Sequence, residues 1–253
     1  MTNASPTAEE YFLQQHTVCC QLLRTCNFEK NSEDLHQLRV SIKKIKAILC
    51  LLNDLQADFK FKTCFAPYKN IFKHLAPIRE EFLQIERLKN DTGNRQIKSK
   101  RSARVSKLIK GFKNASSAYL KDIEIILPVI LKHLRNLKYK TILPYCQKLL
   151  KHLKKQWKNI DNDDKLHRYR KQLKQLLYCS KLLTAKERSQ LISAEKLKNI
   201  DMLQNIIGQW HDNILLLNRI SKDDLAVSTP FYRSLQNETK GLEKNAHKKG
   251  GKL

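Results

Sequence analysis

Two stretches of this sequence carry histidine, arginine and lysine at matching intervals, and these side chains together suit the binding of phosphate groups. In the first stretch, His36, Arg39, Lys43 and Lys46 each follow an apolar residue of a helical stripe. At about 100° per residue, the four basic side chains fall within roughly 80° of one another, beside the inward face of a helix. This spacing predicts one anion-binding surface rather than scattered charges.

The basic pattern recurs later in the chain at a constant offset of 131 positions. The corresponding pairs are His36 and His167, Arg39 and Arg170, and Lys43 and Lys174. A second feature repeats at 132 positions, where Arg79-Glu80 corresponds to His211-Asp212. Two features in one order at one period predict an internal duplication, and duplicated helical units usually pack about a pseudo-twofold axis. Both basic faces would then point into one shared surface.

The surrounding sequence predicts helices that position these side chains. Apolar residues recur at spacings of three and four from Leu35 to Leu52, which is the inward stripe of an α-helix. With only six glycines and six prolines, the composition favours an all-α fold. Capping boxes at Thr7 and Thr184 predict helix starts, Pro67 predicts a bent or broken helix, and Pro77 predicts a new one.

The remaining helices and turns follow from the same periodicity. Asn90 to Gly93 predicts the tip of a helical hairpin, after which residues 94–113 predict a basic amphipathic helix with eight Lys or Arg and no acid. Lys148, Lys151, Lys155 and Lys158 predict a lysine ridge along a later helix. Further helices are predicted at about 186–199, 200–220 and 222–235.

The charge balance narrows the classes of partner. The chain has 49 Lys and Arg against 24 Asp and Glu, a net charge of +25. Such an excess repels itself in the compact state and is relieved by a bound polyanion. This predicts nucleic acid, polyphosphate or an anionic membrane face as partner. No apolar run is long enough for a membrane span.

The N-terminus and the cysteines favour a cytoplasmic protein. The first twelve residues carry acids where a secretory signal needs a basic region and an apolar core. Seven cysteines occur without a C-x-x-C pair, which predicts reduced and mostly buried thiols.

The pattern His-x-x-Arg-x-x-x-Lys on one helix, a later basic residue or histidine followed by an acid, and the duplication of both resemble the CHAD family, the conserved histidine α-helical domain. The resemblance covers about Ala8 to Arg233. It implies two pseudo-twofold-related four-helix bundles, with a basic central cleft that binds inorganic polyphosphate without catalysis. Lys43, Lys44 and Lys46 stand where the family commonly has arginine. Since lysine lacks the bidentate fork, we expect more salt-sensitive contacts here.

Together these arguments give a first repeat at 1–115, a second at 116–240, and a disordered basic tail at 241–253, with both repeats in one CHAD domain. No cofactor, metal or catalytic residue is expected, and attachment to polyphosphate granules is one purpose of binding. The sequence leaves the oligomeric state open. The polyphosphate-binding residues expected on this basis are His36, Arg39, Lys43, Lys44, Lys46, Arg79, His167, Arg170, Lys171, Lys174 and His211.

Three alternatives stay open from the sequence. The first is a general polyanion or nucleic-acid binder, although no aromatic residues are interleaved with the basic positions for base stacking. The second is an enzyme using phosphohistidine on His36 or His167, although no phosphate-cradling glycine loop is present. The third is a metal site among four histidines (His36, His74, His167, His211), although no pair has ligand spacing. A purely structural interpretation of the two basic faces also stays open, in which their side chains pair with carboxylates of neighbouring helices and bind no ligand.

Overall fold

The computed structural model describes residues 6–29, 32–87, 95–222 and 229–251, which form helices and short connections without any β-strand. The expected all-α fold is thereby confirmed. The longer helices are α1 (Ala8–Thr25), α2 (Ser32–Leu55), α3 (Phe61–Arg87), α4 (Arg95–Arg135), α5 (Ile142–Trp157), α6 (Asp163–Cys179), α7 (Ala185–Leu191), α8 (Ala194–Lys222) and α9 (Thr229–Gly250). Short 3₁₀ turns occupy Tyr139–Thr141 and Ser180–Leu182. The hairpin tip predicted at Asn90 to Gly93 lies outside the described residues.

The chain divides into an N-terminal unit, Pro6–Tyr139, and a C-terminal unit that begins at Lys140. In the N-terminal unit α2 packs between α1 and α3, and α4 packs against both α3 and α1, so the four helices close a ring. Its core contains the fully buried Phe12, Tyr68 and Phe112. The predicted capping box begins α1, since the Thr7 hydroxyl accepts from the Glu10 amide at 3.0 Å.

Helix α3 continues through both of its prolines. The sequence predicted a bend or break at Pro67 and a new helix from Pro77; the helix is not broken at Pro67, and none begins at Pro77. Each interior proline removes one helical hydrogen bond and costs about 3 kcal/mol. The buried stripe of α3 nevertheless runs past both positions, from Phe65 through Ile71 to Ile78. Because α3 packs against both α2 and α4, tertiary packing outweighs the local cost.

A buried ion pair joins α3 to α4. The carboxylate of Glu81, whose side chain is 1% exposed, accepts a hydrogen bond from Nη1 of Arg101 at 2.7 Å. Arg104 Nε lies 3.4 Å from the same carboxylate. The position of this one acid thus fixes part of the basic helix α4 against α3.

In the C-terminal unit α6 packs between α5 and α8, and α9 packs along α8. Its core includes Tyr169, Ile207 and Trp210. The second predicted capping box is present, because Thr184 and Glu187 exchange hydrogen bonds at the start of α7. Helix α8 is continuous from Ala194 to Lys222, where the sequence predicted one helix to end at residue 199 and another to begin at residue 200. The break lies earlier, between α7 and α8, where the backbone of Ile192 is extended.

Two predicted boundaries differ from the structure. The repeat boundary at 115/116 falls inside α4, which stays in the N-terminal unit because Phe112, Ile123 and Ile130 are all buried along it. The tail predicted to be disordered from residue 241 is helical to Gly250. Ala246 is fully buried and the ring of His247 lies 5.8 Å from that of Trp157, so this segment has packing partners.

All seven cysteines are free thiols, and six of them are buried, as the sequence predicted. Cys19 in the N-terminal unit and Cys146 in the C-terminal unit are completely inaccessible to solvent. Burial raises the pKa of both thiols, that of Cys146 to about 12. Their thiol forms are therefore strongly favoured at neutral pH.

Candidate anion-binding surfaces

The first basic surface consists of the predicted residues of the N-terminal unit: His36, Arg39, Lys43, Lys44 and Lys46 on α2, and Arg79 on α3. The apolar stripe of α2 is buried as predicted, and its members Leu35, Leu38, Ile42 and Ile45 each directly precede one basic residue of this surface. His36 and Lys46 are exposed, and the other four are partly buried. The helix thus holds its basic side chains at the edge of the core.

Arg39 is held by the facing helix α3. Its Nη1 donates to the main-chain carbonyl of Phe72 at 3.1 Å, and its guanidinium carbon lies 4.0 Å from the centre of the Phe72 ring. The aromatic face attracts the cation and fixes its plane. A carbonyl is a neutral acceptor, so this contact orients the guanidinium without cancelling its charge.

Two lysines of the first basic surface lie over the same row of aromatic rings. The Nζ atom of Lys43 is 5.7 Å from the Phe72 ring centre, and that of Lys46 is 5.7 Å from the ring centre of Phe65. Phe65 and Phe72 are seven residues apart, two helical turns, and so share one face of α3. Arg79 follows Phe72 by another seven residues and continues that face.

The second basic surface consists of the predicted residues of the C-terminal unit: His167, Arg170, Lys171 and Lys174 on α6, and His211 on α8. Arg170 Nε donates to the main-chain carbonyl of Gln204 on α8 at 3.0 Å. The guanidinium covers Gly208, where an added Cβ would overlap it. Glycine at this position therefore permits the close approach of Arg170 to the α8 backbone.

Burial acts against the charged forms of two cations in this surface. It lowers the pKa of Arg170, which the Asp212 and Tyr178 charges partly restore. Burial and the neighbouring Arg170 charge lower the pKa of Lys174 to about 8, although Asp201 and Asp212 act in the opposite direction. Both groups lie one helical turn apart on α6, so positive charge is concentrated where water is partly excluded.

His167 on α6 and His211 on α8 form a close, tilted pair of rings. Their ring centroids are 4.0 Å apart with an interplanar angle of 32°. Burial, followed by the charges of His211, Lys171 and Arg170, lowers the pKa of His167 to about 4. Burial also lowers the pKa of His211. Both imidazoles are therefore neutral at pH 7, and the Nδ1 atom of His167 is buried without a hydrogen-bond partner among the described residues.

The same contact is found at equivalent places in the two units. Arg39 and Arg170 are 131 positions apart, and the residues whose carbonyls accept from them, Phe72 and Gln204, are 132 apart. These are the two offsets at which the sequence motifs repeat. In each unit, therefore, the motif arginine donates to the backbone of the facing helix at the same register.

Comparison with protein families assigns the chain. The sequence model of the CHAD domain matches residues 21–221. The chain belongs to the CHAD family. The match spans α2 and α6, which carry the repeated basic motif, together with α3 and nearly all of α8, which pack against them. The CHAD resemblance of the sequence is therefore confirmed.

Solved structures agree with the CHAD assignment. The chain is similar to a crystal structure of the CHAD domain from the plant Ricinus communis, with a TM-score of 0.62 and 17% sequence identity. The alignment covers 100% of this chain and 94% of the plant chain. At this identity the comparison establishes the fold alone. No curated protein matches the sequence significantly.

The structure of this CHAD domain shows further residues of the two basic surfaces that the sequence pattern did not identify. Phe65 and Phe72, Gln204 and Gly208 contact the basic side chains from the facing helices. Two features of the sequence could have indicated such contacts: the seven-residue spacing of the two phenylalanines, and a glycine in the middle of an apolar helix. The Gln204 carbonyl left no signal, because any residue supplies one.

The histidines raised as metal ligands have other surroundings. His74 Nδ1 lies 2.8 Å from the Tyr119 hydroxyl, and the ring of His167 contacts that of His211. Among the described residues, no three His, Cys, Asp or Glu side chains group as a metal site would require. Over the same residues, no helix is long and apolar enough to cross a bilayer.

Proposed function

We propose that this CHAD protein binds inorganic polyphosphate without catalysis, through the two basic surfaces. Polyphosphate is a thin chain with about one negative charge per phosphate, and its oxygens accept hydrogen bonds from guanidinium and ammonium groups. The family membership supports this ligand, because the resemblance implied polyphosphate binding. Attachment to polyphosphate granules is the purpose we propose.

One observation carries the proposal: the second basic surface holds partly buried cations whose charged forms are disfavoured by burial. Arg170 and Lys174 both show a lowered pKa with burial as the leading cause. A partly buried cation costs free energy, and the nearby Asp212 offsets this cost only in part, since the pKa of both groups stays lowered. A bound phosphate would supply that anion and raise both pKa values towards their ordinary range.

The repeated contact of Arg39 and Arg170 supports an internal duplication with two equivalent half-sites. In both units a neutral carbonyl positions the guanidinium, which stays charged and oriented. Preorganised cations lose little side-chain entropy when an anion binds. We therefore propose that the two surfaces, one in each unit, engage phosphate groups in the same way.

Competition binding tests this proposal. Labelled long-chain polyphosphate is bound at two salt concentrations and displaced by unlabelled polyphosphate or duplex DNA, matched by charge. For wild type we expect polyphosphate to compete far better than DNA. For Arg39→Glu/Arg170→Glu we expect polyphosphate affinity to fall by roughly tenfold or more per arginine, since each loses a charge-assisted contact.

The matched control is Lys151→Glu/Lys155→Glu, which changes the net charge equally on the exposed side of α5. It should weaken polyphosphate and DNA binding alike and leave the preference unchanged. Circular dichroism establishes that both variants are folded. If the arginine variant keeps the preference for polyphosphate, the basic surfaces are not the binding site.

A second candidate function has its own observation in the lysine ridge of α5. Lys148, Lys151, Lys155 and Lys158 are all exposed, and α5 contains no acid with which they could pair along the helix. Such a ridge suits general binding of polyanions, nucleic acid included. If DNA competes as well as polyphosphate, and only the α5 control variant weakens binding, this second function is the correct one.

The absence of catalysis is part of the proposal and has a separate test. Polyphosphate of defined length is incubated with the protein, with and without divalent cations and nucleotides, and resolved on a gel. We expect the chain length to stay constant. Shortening or extension that is lost in His36→Ala/His167→Ala would instead favour the phosphohistidine enzyme.

A further inference from the structure

A cavity of about 600 Å³ lies in the C-terminal unit, bounded by the end of α6, by α7 and by the beginning of α8. This volume is typical of sites for small molecules. Its charged and phenolic lining residues are Lys174, Tyr178, Lys181, Arg188, Lys198 and Asp201. Aliphatic side chains, among them Leu177 and Ile192, form the rest of its wall. The cavity thus combines an excess of cations with an apolar wall.

The cations that line the cavity differ in their hydrogen bonds and in their exposure to solvent. Arg188 donates from Nε to the Ser180 carbonyl at 3.1 Å and from Nη2 to the Leu183 carbonyl at 3.0 Å, so it shapes the wall. Lys181 and Lys198 are exposed at the rim and can meet an incoming anion. Lys174 is partly buried between the cavity and the second basic surface, and it belongs to both.

Lys174 is also the lysine with a chemically distinct amine. Burial and the Arg170 charge lower its pKa to about 8. At pH 7.5 about one such amine in four is neutral, against about one in a thousand for an ordinary lysine. The charges that act on it are those of Arg170 on α6 and of Asp201 and Asp212 on α8. The other titratable residues that line the same cavity are Tyr178, Lys181, Arg188 and Lys198. A neutral amine beside phosphate-attracting cations is suited to react with an anionic acyl donor.

We propose that Lys174 is an acylation site whose acyl donors are acyl phosphates admitted by the cavity. The lone pair of the neutral amine attacks the acyl carbon. The bond from that carbon to the phosphate oxygen breaks, and inorganic phosphate leaves with the electron pair while the amine loses a proton to water. The product is a neutral amide. Lys181 and Lys198 hold the phosphate, whose departing charge they stabilise.

Acylation would modify the function proposed above, and this part of the inference rests on that function. The amide removes one cation from the second basic surface, next to Arg170. Bound polyphosphate would in turn favour the charged ammonium of Lys174 and suppress its reaction. Acylation and polyphosphate binding should therefore exclude one another.

The acylation site is tested in the absence of polyphosphate. Full-length protein reacts with acetyl phosphate at pH 7.5, and mass spectrometry follows each lysine with time. Allowing for the lower nucleophilicity of a weaker base, we expect Lys174 to react roughly tenfold or more faster than the exposed Lys171 on the same helix. In Lys181→Gln/Lys198→Gln this advantage should shrink with acetyl phosphate and persist with acetic anhydride, which carries no phosphate.

Two outcomes would overturn the proposal. One is a Lys174 rate no greater than that of Lys171. The other is an undiminished advantage with acetyl phosphate when both rim lysines are replaced in a protein that circular dichroism shows to be folded. Either result leaves the proposed polyphosphate function intact, because neither measurement involves that ligand.

The link to polyphosphate has its own variants. Lys174→Gln, which resembles the amide, should bind polyphosphate several-fold more weakly than Lys174→Arg, which keeps the positive charge. Added polyphosphate should slow acetylation of Lys174 while leaving that of the exposed Lys196 unchanged. If polyphosphate binds but does not protect Lys174, mutual exclusion is wrong even though the protein is a polyphosphate binder.

Discussion

The imidazole rings of His167 and His211 are in tilted contact with their centroids 4.0 Å apart, joining α6 to α8 within the second basic surface. Two protonated rings at that distance would repel one another, and Arg170 and Lys171 add to the repulsion. The packing of these helices is therefore coupled to the protonation of the pair.

Acidification should destabilise the protein through this pair. The pKa of His167 is about 4 in the folded chain against an ordinary value of 6.5, so the unfolded chain binds more protons between those values. The stability that the neutral His167 contributes is thus fully present above pH 6.5 and is lost as the pH falls towards 4. After a discount for partial exposure, we expect a loss of about 1 kcal/mol, measured by urea unfolding at several pH values. His167→Gln should show a flatter pH dependence, and equal slopes would contradict the assignment.

Gly208→Ala should disturb the second basic surface specifically. A methyl group at this position overlaps the guanidinium of Arg170, which must leave the Gln204 carbonyl. We expect polyphosphate affinity to fall by about threefold to tenfold, because Arg170 loses its orientation. Isothermal titration calorimetry at fixed salt measures the change.

Gly111→Ala is the matched control for that variant. It makes the same replacement inside α4, where an added Cβ meets nothing within 4 Å. It should raise the free energy of unfolding by about 0.5–1 kcal/mol through helix propensity and leave binding unchanged. If both variants bind polyphosphate alike, the position of Arg170 does not govern affinity.

Removal of the buried carboxylate in the N-terminal unit should be costly. Glu81→Gln leaves Arg101, whose side chain is 9% exposed, without its charge partner at 2.7 Å. We expect the free energy of unfolding to fall by about 3 kcal/mol, as when one member of a buried pair is lost. Urea denaturation provides the measurement. The control is Asp161→Asn, which breaks the exposed pair with Lys165 and should change little.

The helical end of the chain can be tested by truncation. A chain that stops after Lys240 loses the buried Ala246 and the contact of His247 with Trp157. We expect it to be less stable by about 1–2 kcal/mol in thermal unfolding, whereas a chain that stops after Gly250 should match wild type. If the two truncations melt alike, residues 241–250 do not contribute to packing.

The sequence pattern predicted the motif helices because their inward stripes and basic positions obey one helical period. Leu35, Leu38 and Ile42 are buried, and Arg39 and Lys43 flank them, as that period requires. The continuity of α3 through Pro67 and Pro77 was not predicted, since it depends on packing against α2 and α4. The helical structure of residues 241–250 was not predicted for the same reason, because it depends on packing against Trp157, which is distant in the chain.

Within the surfaces, sequence reasoning found the cations and missed what holds them. Arg39 and Arg170 were identified by spacing, while their acceptors are main-chain carbonyls of Phe72 and Gln204. The lowered pKa of Lys174 could not be predicted either, because it arises from burial in the folded chain and from the neighbouring charge of Arg170.

The buried thiols of the two units allow each unit to be followed separately in the intact chain. Cys19 and Cys146 are wholly inaccessible, and burial keeps both in the unreactive thiol form. A maleimide or disulfide reagent can modify either one only when its own unit opens. Mass-resolved labelling rates therefore report two local opening free energies from one sample, and polyphosphate that contacts both units would slow both rates.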